Sequence, residues 1–170
     1  MTTAVDTPFE IDLAIEQRLR AYVSAVSGAL GVGWASCALD LGSPRSAYVA
    51  LDRRLPSHPD RDLALLWDER QGWTAAVETH SGEDLIQVDR MGGRIVPPPA
   101  EVVRFAAGLG RRPRRARARS RSEALRSPEL PNVRELPGEP AAEEPPRTPE
   151  ELLALLDRHD LSAADHFWAA

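Results

Sequence analysis

The densest group of potential metal ligands lies in one short stretch of the chain. It consists of Glu78, His80, Glu83 and Asp84. Carboxylates and imidazoles are common ligands of divalent cations. The spacing matches no calcium-binding loop, however, and the stretch holds a single imidazole. Polar turns routinely collect such residues, so we predict a turn here and no metal site.

A second polar group with acid–base chemistry is the run Asp60-Arg61-Asp62, with His58 close by. Such a run is more typical of a loop held by ion pairs and Asx turns than of a catalytic acid or base. The chain has no nucleophile elbow, HExxH motif or glycine-rich dinucleotide loop. All 21 basic residues are arginine, which excludes the lysine chemistry of phosphate-loop NTPases and Schiff-base enzymes. We therefore predict no catalytic residue and no cofactor, and a protein that is not an enzyme.

Two tryptophans, Trp67 and Trp73, flank a turn that contains Asp68 and Glu69. One interpretation is a structural aromatic pair across a β-hairpin. The alternative is an aromatic wall for a flat ligand or a proline-rich peptide, with the two acidic residues supplying polar contacts. In that case the protein is a small-ligand sensor.

Cys37 is the only cysteine, so an intrachain disulfide is excluded. It alternates with Leu39 and Leu41 on one face of a predicted strand, which favours a buried structural thiol over a nucleophile. The first residues have neither a basic nor an apolar segment of the secretory kind. Residues 21–39 are uncharged, but glycines and serines dilute them too much for a membrane span. We expect a cytoplasmic protein that does not bind membranes.

The elements that position these residues follow from hydrophobic periodicity. Apolar residues three and four apart predict a helix over residues 10–30 that ends at Gly31. Alternating patterns predict five strands, at residues 34–41, 47–51, 63–67, 73–77 and 85–91. A proline-rich loop is predicted over residues 53–62, and a second helix begins after the prolines at 97–99 and ends at Gly110. The expected fold is α+β, with a helix, a mostly antiparallel sheet and a helix.

The second face of this sheet is predicted to be small and apolar. Its residues are Ala38, Ala50, Ala64 and Ala76. A helix or another subunit would fit against it, so a homodimer is a further expectation.

Residues 19–109 resemble a family of actinobacterial proteins of unknown function. The likeness is carried by Tyr22-Val23, Leu30-Gly31, residues 47–51 and 59–69, Gly72-Trp73 and residues 82–85. The resemblance implies a shared fold but no activity, cofactor or site residue. The richness in alanine, arginine and proline also indicates a GC-rich actinobacterial genome.

Residues 111–126 carry eight arginines and one acid, whereas residues 127–170 carry three arginines and ten acids. The arginines that would contact phosphates in a nucleic-acid arm are Arg111, Arg112, Arg114, Arg115, Arg117, Arg119 and Arg121. The alternative is a solvated tether that pairs with the acidic segment behind it, since no aromatic residue is interleaved for base stacking. We predict disorder over residues 111–147, first rich in arginine and then in proline and glutamate.

A helix signal returns near the end of the chain. Thr148-Pro149-Glu150-Glu151 is a capping box with proline at the first helical position. The apolar residues that follow are Leu152, Leu155, Leu156, Phe167 and Trp168. This segment either folds back on the domain or docks on another protein.

The expected organisation is thus a domain at 1–110, a linker at 111–147 and a helical segment at 148–170. We predict a non-catalytic cytosolic interaction or regulatory module that presents the tethered C-terminal helix to a protein partner. Nucleic-acid binding and ligand sensing are the alternatives.

Overall fold

The computed structural model describes residues 8–79, 84–110 and 143–159, and the backbone of residues 132–134. The helices are α1 (Pro8–Leu30), α2 (Pro99–Gly108) and α3 (Pro149–Asp157). The strands are β1 (Cys37–Asp40), β2 (Ser46–Leu55), β3 (His58–Asp68), β4 (Gly72–Glu78), β5 (Asp84–Arg90) and β6 (Asn132–Arg134). They form one sheet in the order β1 to β6, in which β1 to β5 are antiparallel neighbours and β6 runs parallel to β5. The α+β prediction is confirmed.

Helix α1 forms because its apolar residues make one continuous stripe. Its buried residues include Ile15, Leu19, Tyr22 and Val26, at the spacing of a helix that packs one side on a sheet. Gly31 ends it with a φ of 78°, a backbone conformation that glycine adopts without a steric penalty.

The core lies between one face of the sheet and the helices. Inward-facing strand residues such as Val49, Leu65 and Val77 share a hydrophobic cluster with residues of α1, α2 and α3. Burial of this face explains the alternating burial of β2, whereas β4 is buried on both faces.

The opposite face carries the alanine row that the sequence predicts. The register aligns Ala50 with Ala64 and Ala64 with Ala76. Ala64 and Ala76 are buried in the described chain, and dimerisation through this face stays a prediction. Tyr48 on the same face donates a 2.5 Å hydrogen bond from its hydroxyl to Glu78 Oε1.

Two local predictions were wrong. The loop predicted over residues 53–62 is a hairpin, since β2 extends to Leu55 and β3 begins at His58. Pro59 is tolerated because the start of β3 pairs only with β2 among the described strands, and an edge position needs no amide donor. Residues 34–36 form a short 3-10 helix in place of the first residues of the predicted strand 34–41.

The predicted linker contains structured residues. Asn132–Arg134 forms β6 on the edge of β5, and Glu143 forms hydrogen bonds with the chain that follows β5. The disorder predicted for residues 111–147 therefore does not hold at these positions. Residues 111–131 and 135–142 lie outside the described residues. No helix among the described residues is long and apolar enough to cross a membrane.

Candidate functional site

Helix α3 begins at the capping box that the sequence predicts. Thr148 Oγ1 accepts a hydrogen bond from the amide of Glu151 at 3.3 Å. The Glu151 carboxylate accepts one from the amide of Arg147 at 2.6 Å, one residue before the expected position. The Glu150 carboxylate accepts hydrogen bonds from its own backbone amide and from the Thr148 side chain, which lowers the pKa of Glu150. These bonds satisfy amides that a helix start leaves without partners.

The leucines of α3 are buried against the domain. Leu152, Leu155 and Leu156 are 1%, 8% and 0% exposed and join the core cluster that contains residues of α1. At the rim, Arg18 Nε lies 2.9 Å from Asp157 Oδ1, with 57% and 46% of the two side chains exposed. The fold-back alternative therefore describes this structure. A partner reaches these leucines only after α3 leaves α1.

The end of α3 is fastened to the segment between β5 and α2, which we call the strap (residues 92–98). His159 Nε2 lies 2.8 Å from the carbonyl oxygen of Val96, so a proton is required on that ring nitrogen. The His159 ring stacks on Tyr22, with centroids 5.8 Å apart and planes at 23°. The C-terminal segment thus contacts both α1 and the strap.

Neighbouring carbonyls of the strap also accept hydrogen bonds from the core. Ile95 accepts from Trp67 Nε1 at 2.7 Å, and Pro97 accepts from the Tyr22 hydroxyl at 2.8 Å. Trp73 Nε1 donates to the Tyr22 oxygen at 2.9 Å. Three consecutive carbonyls of the strap are therefore held by β3, the C-terminal segment and α1. Burial raises the pKa of Tyr22, because the ionised phenolate would lose its hydration.

Glu143 holds the strap from the other direction. Its carboxylate accepts a hydrogen bond from the Ile95 amide at 2.8 Å, and its own amide donates to the Gly93 carbonyl at 3.0 Å. Its second carboxylate oxygen lies 3.0 Å from Arg158 Nη1. One glutamate thus connects the strap with the residue after α3.

The tryptophans are structural. Trp67 and Trp73 pair across the β3–β4 hairpin and are each 1% exposed. The aromatic wall that was one interpretation of this pair is therefore not at the surface of the described chain. Burial and internal hydrogen bonds for both indole groups are the pattern of core residues.

The two acids of the hairpin turn have local roles. Asp68 Oδ1 accepts hydrogen bonds from the amides of Arg70 and Gln71, which is an Asx turn. Glu69 lies 3.2 Å from Arg45 Nη1, and the two side chains are 13% and 15% exposed. Arg45 also pairs with Asp12 at 2.5 Å. This chain of charges fastens the hairpin to the start of α1.

Some of the remaining candidate site residues lie among the described residues, and others lie outside them. Asp62 lies in β3 and pairs with Arg54 of β2 at 2.9 Å, so this ion pair joins two strands and does not close the loop that was expected around the Asp-Arg-Asp run. Cys37 is half-buried, and burial raises the pKa of its thiol, which disfavours the nucleophilic thiolate. No group of metal-ligating side chains occurs among the described residues. The candidates outside the described residues are His80, Glu83, Arg111, Arg112, Arg114, Arg115, Arg117, Arg119, Arg121, Phe167 and Trp168.

A family model with the description "Family of unknown function (DUF6292)" matches residues 22–108. The chain belongs to this family. The DUF6292 region begins at Tyr22, inside α1, and ends with α2, so it includes neither β6 nor α3. No curated protein and no solved structure matches the chain.

Within the DUF6292 region, a cavity of about 370 Å³ lies between β5 and α2. Its lining residues are Asp89, Met91, Glu101, Arg104, Phe105 and Gly108. Binding sites for small molecules commonly combine apolar side chains with a few charged or polar groups. No sequence pattern predicts this cavity, because its lining residues come from two elements that only the fold brings together.

Sequence reasoning also missed Tyr22, Glu143 and His159. In the sequence Tyr22 has the spacing of the apolar residues of α1, and this spacing does not reveal that its hydroxyl holds the strap. Glu143 is one of several glutamates in a proline-rich stretch, and His159 follows a predicted helix. Their acceptors are mostly backbone carbonyls, which leave no signature in the sequence.

Proposed function

We propose that the protein is a non-catalytic cytoplasmic interaction or regulatory module, in which α3 is a recognition helix that docks in cis and is released to a protein partner. The observation that carries the proposal is the placement of α3. It lies outside the DUF6292 region, after the long connection 109–148, yet it buries three leucines on α1. Phe167 and Trp168 follow it in the sequence and would extend the apolar surface offered to the partner.

The size of α3 supports release. A helix of nine residues is too short to be stable alone in water, so its structure depends on the surface that it covers. The Arg18–Asp157 pair is largely exposed, and exposed pairs stabilise a protein by about 1 kcal/mol at most. The leucines therefore supply most of the docking free energy, and a partner with an equivalent apolar groove competes for them directly.

The connection sets a threshold for this competition. Two segments of one chain meet at an effective concentration that a connection of suitable length brings to roughly 1 mM. A partner present at about 1 µM must therefore bind the α3 segment roughly a thousandfold more tightly than α1 does. Docking in cis excludes weak partners and keeps the leucines out of water.

A chemical lock tests the proposal. The variant Arg18→Cys/Asp157→Cys, in a Cys37→Ala background, places two thiols at positions whose native side chains are in contact. A short bis-maleimide then holds α3 on α1. We expect the uncrosslinked variant to capture a protein partner in a pull-down, and the crosslinked variant and a 148–170 deletion to lose it. Capture of the same partner by all three proteins would contradict the proposal.

Nucleic-acid binding and ligand sensing are the alternative functions, and each is supported by a single observation. Nucleic-acid binding is favoured by the charge of residues 111–126 alone. A ligand sensor would use the cavity between β5 and α2, since the tryptophans are buried. The actinobacterial origin inferred from composition stays a prediction.

A further inference from the structure

We propose that the surface beneath α3 is itself a receptor for a helix of defined chemistry: a short, leucine-rich amphipathic helix with a carboxylate in its last turn and a histidine two residues further on. This inference rests on the proposed function, because the groove is accessible only when α3 is released. Release of α3 exposes two surfaces: the leucine face of α3 and the groove on the domain. The inference concerns the groove.

The groove fixes the apolar part of the ligand. Ile15, Leu19 and Tyr22 of α1 are fully buried in the cluster that the α3 leucines complete. The leucines at positions 152, 155 and 156 have the three-and-four spacing that lays one helix face against such a surface. A helix that lacks any of them leaves a cavity in the groove, which should weaken binding at least roughly tenfold for a leucine reduced to alanine.

Arg18, at the edge of the groove, determines where the ligand helix carries a negative charge. Asp157 is the last residue of α3, where the helix dipole disfavours a carboxylate. Arg18 lies 2.9 Å away and offsets that penalty. A basic residue at this position would face Arg18 and bind several-fold more weakly, so the charge in the last turn contributes to the discrimination between helices.

The strap fixes the end of the ligand. The carbonyl of Val96 requires a donor, which His159 Nε2 supplies at 2.8 Å, and the Tyr22 ring stacks on the same imidazole. A planar side chain that carries an N–H group satisfies both contacts. Release of α3 leaves this carbonyl to water or to the corresponding group of an incoming helix.

The test uses a peptide of this chain as the probe. In the full-length variant Leu152→Asp/Leu156→Asp, α3 cannot dock and the groove is free. A fluorescently labelled peptide of residues 147–159 is titrated into this variant and into the wild-type chain, and binding is followed by anisotropy. We expect saturable binding to the variant and at least tenfold weaker apparent binding to the wild type, whose own α3 occupies the groove.

A charge exchange provides the matched control. The peptide with Asp157→Arg should bind several-fold more weakly than the native peptide, and Arg18→Asp in the protein should restore it. A peptide with Leu155→Asp should not bind. Restored binding between the Arg18→Asp protein and the Asp157→Arg peptide would show that the peptide is recognised in the groove. Non-specific adsorption of an apolar peptide would not depend on this pair.

Two results would overturn the inference. One is no anisotropy change up to roughly 1 mM peptide when the variant retains its circular dichroism and buried tryptophan emission. The other is equal affinity for variant and wild type, which would place the peptide elsewhere. If the double aspartate variant does not fold, Leu155→Ala replaces it. Peptide binding without α3-dependent partner capture would leave the groove established and refute only the proposed function.

Discussion

Tyr22 is the residue at which contacts from the sheet, the strap and the C-terminal segment converge. Its hydroxyl accepts from Trp73 and donates to Pro97, and its ring packs on His159. One side chain of α1 therefore connects the sheet, the strap and the C-terminal segment. A buried hydroxyl with both hydrogen bonds formed stabilises the fold, whereas the same groups left unpaired destabilise it.

Replacement of Tyr22 by phenylalanine should lower the free energy of unfolding by about 1–3 kcal/mol, because the Trp73 N–H and the Pro97 carbonyl lose their partner. Urea denaturation followed by tryptophan fluorescence measures the change. Tyr48→Phe is the matched control, since the half-buried Tyr48 makes one hydrogen bond, to Glu78. Its loss should be smaller. An unchanged midpoint for Tyr22→Phe would show that the hydroxyl does not hold the strap.

The same variant should alter the alkaline limb of the stability curve. Burial raises the pKa of Tyr22, and burial together with Glu78 raises that of Tyr48. Both stabilising contributions are complete below the unfolded pKa of about 10 and are lost as pH rises above it, because the unfolded chain ionises first. Each phenylalanine variant should therefore lose less stability between about pH 9 and pH 11 than the wild type.

At the scale of elements, the N-cap of α3 controls docking. Thr148→Ala removes the acceptor for the Glu151 amide, and loss of such a cap costs about 1 kcal/mol. Amide exchange in α3 should then accelerate severalfold while exchange in α1 is unchanged, as measured by mass spectrometry. Thr148→Ser keeps a hydroxyl and should behave like the wild type. Equal acceleration in both helices would mean that α3 does not open as a separate unit.

Periodic elements were predictable because their patterns are local. The stripe of α1, the alternation in β2 to β5 and the capping box of α3 each lie within one stretch of sequence. The hairpin at Pro56 was missed because prolines favour loops, although an edge position tolerates them. β6 has three residues among prolines and is ordered by pairing with β5. The docking site of α3 was not predictable, since an amphipathic helix fits its own domain or a partner equally well by pattern.

At the scale of the whole molecule, charge is divided into two blocks that follow the DUF6292 region. Residues 111–126 carry a net charge of +7 and residues 127–170 a net charge of −7. Opposite blocks so close in sequence neutralise each other at low ionic strength and are screened at physiological salt. The acidic block therefore competes with any external polyanion for the same arginines.

This arrangement predicts that the full chain is not retained on nucleic acid near physiological salt, about 0.15 M. Phosphate contacts weaken steeply with salt, with a slope near −0.9 per neutralised phosphate, and the acidic block that follows in the sequence is a competing intramolecular polyanion. Filter binding over a salt series measures this retention. The control is a variant in which the seven arginines from Arg111 to Arg121 are changed to glutamine. The contrary result is strong retention of the wild type that falls steeply with salt and is absent for the glutamine variant. It would favour nucleic-acid binding over the interaction module, because the acidic block would then compete too weakly for the arginines.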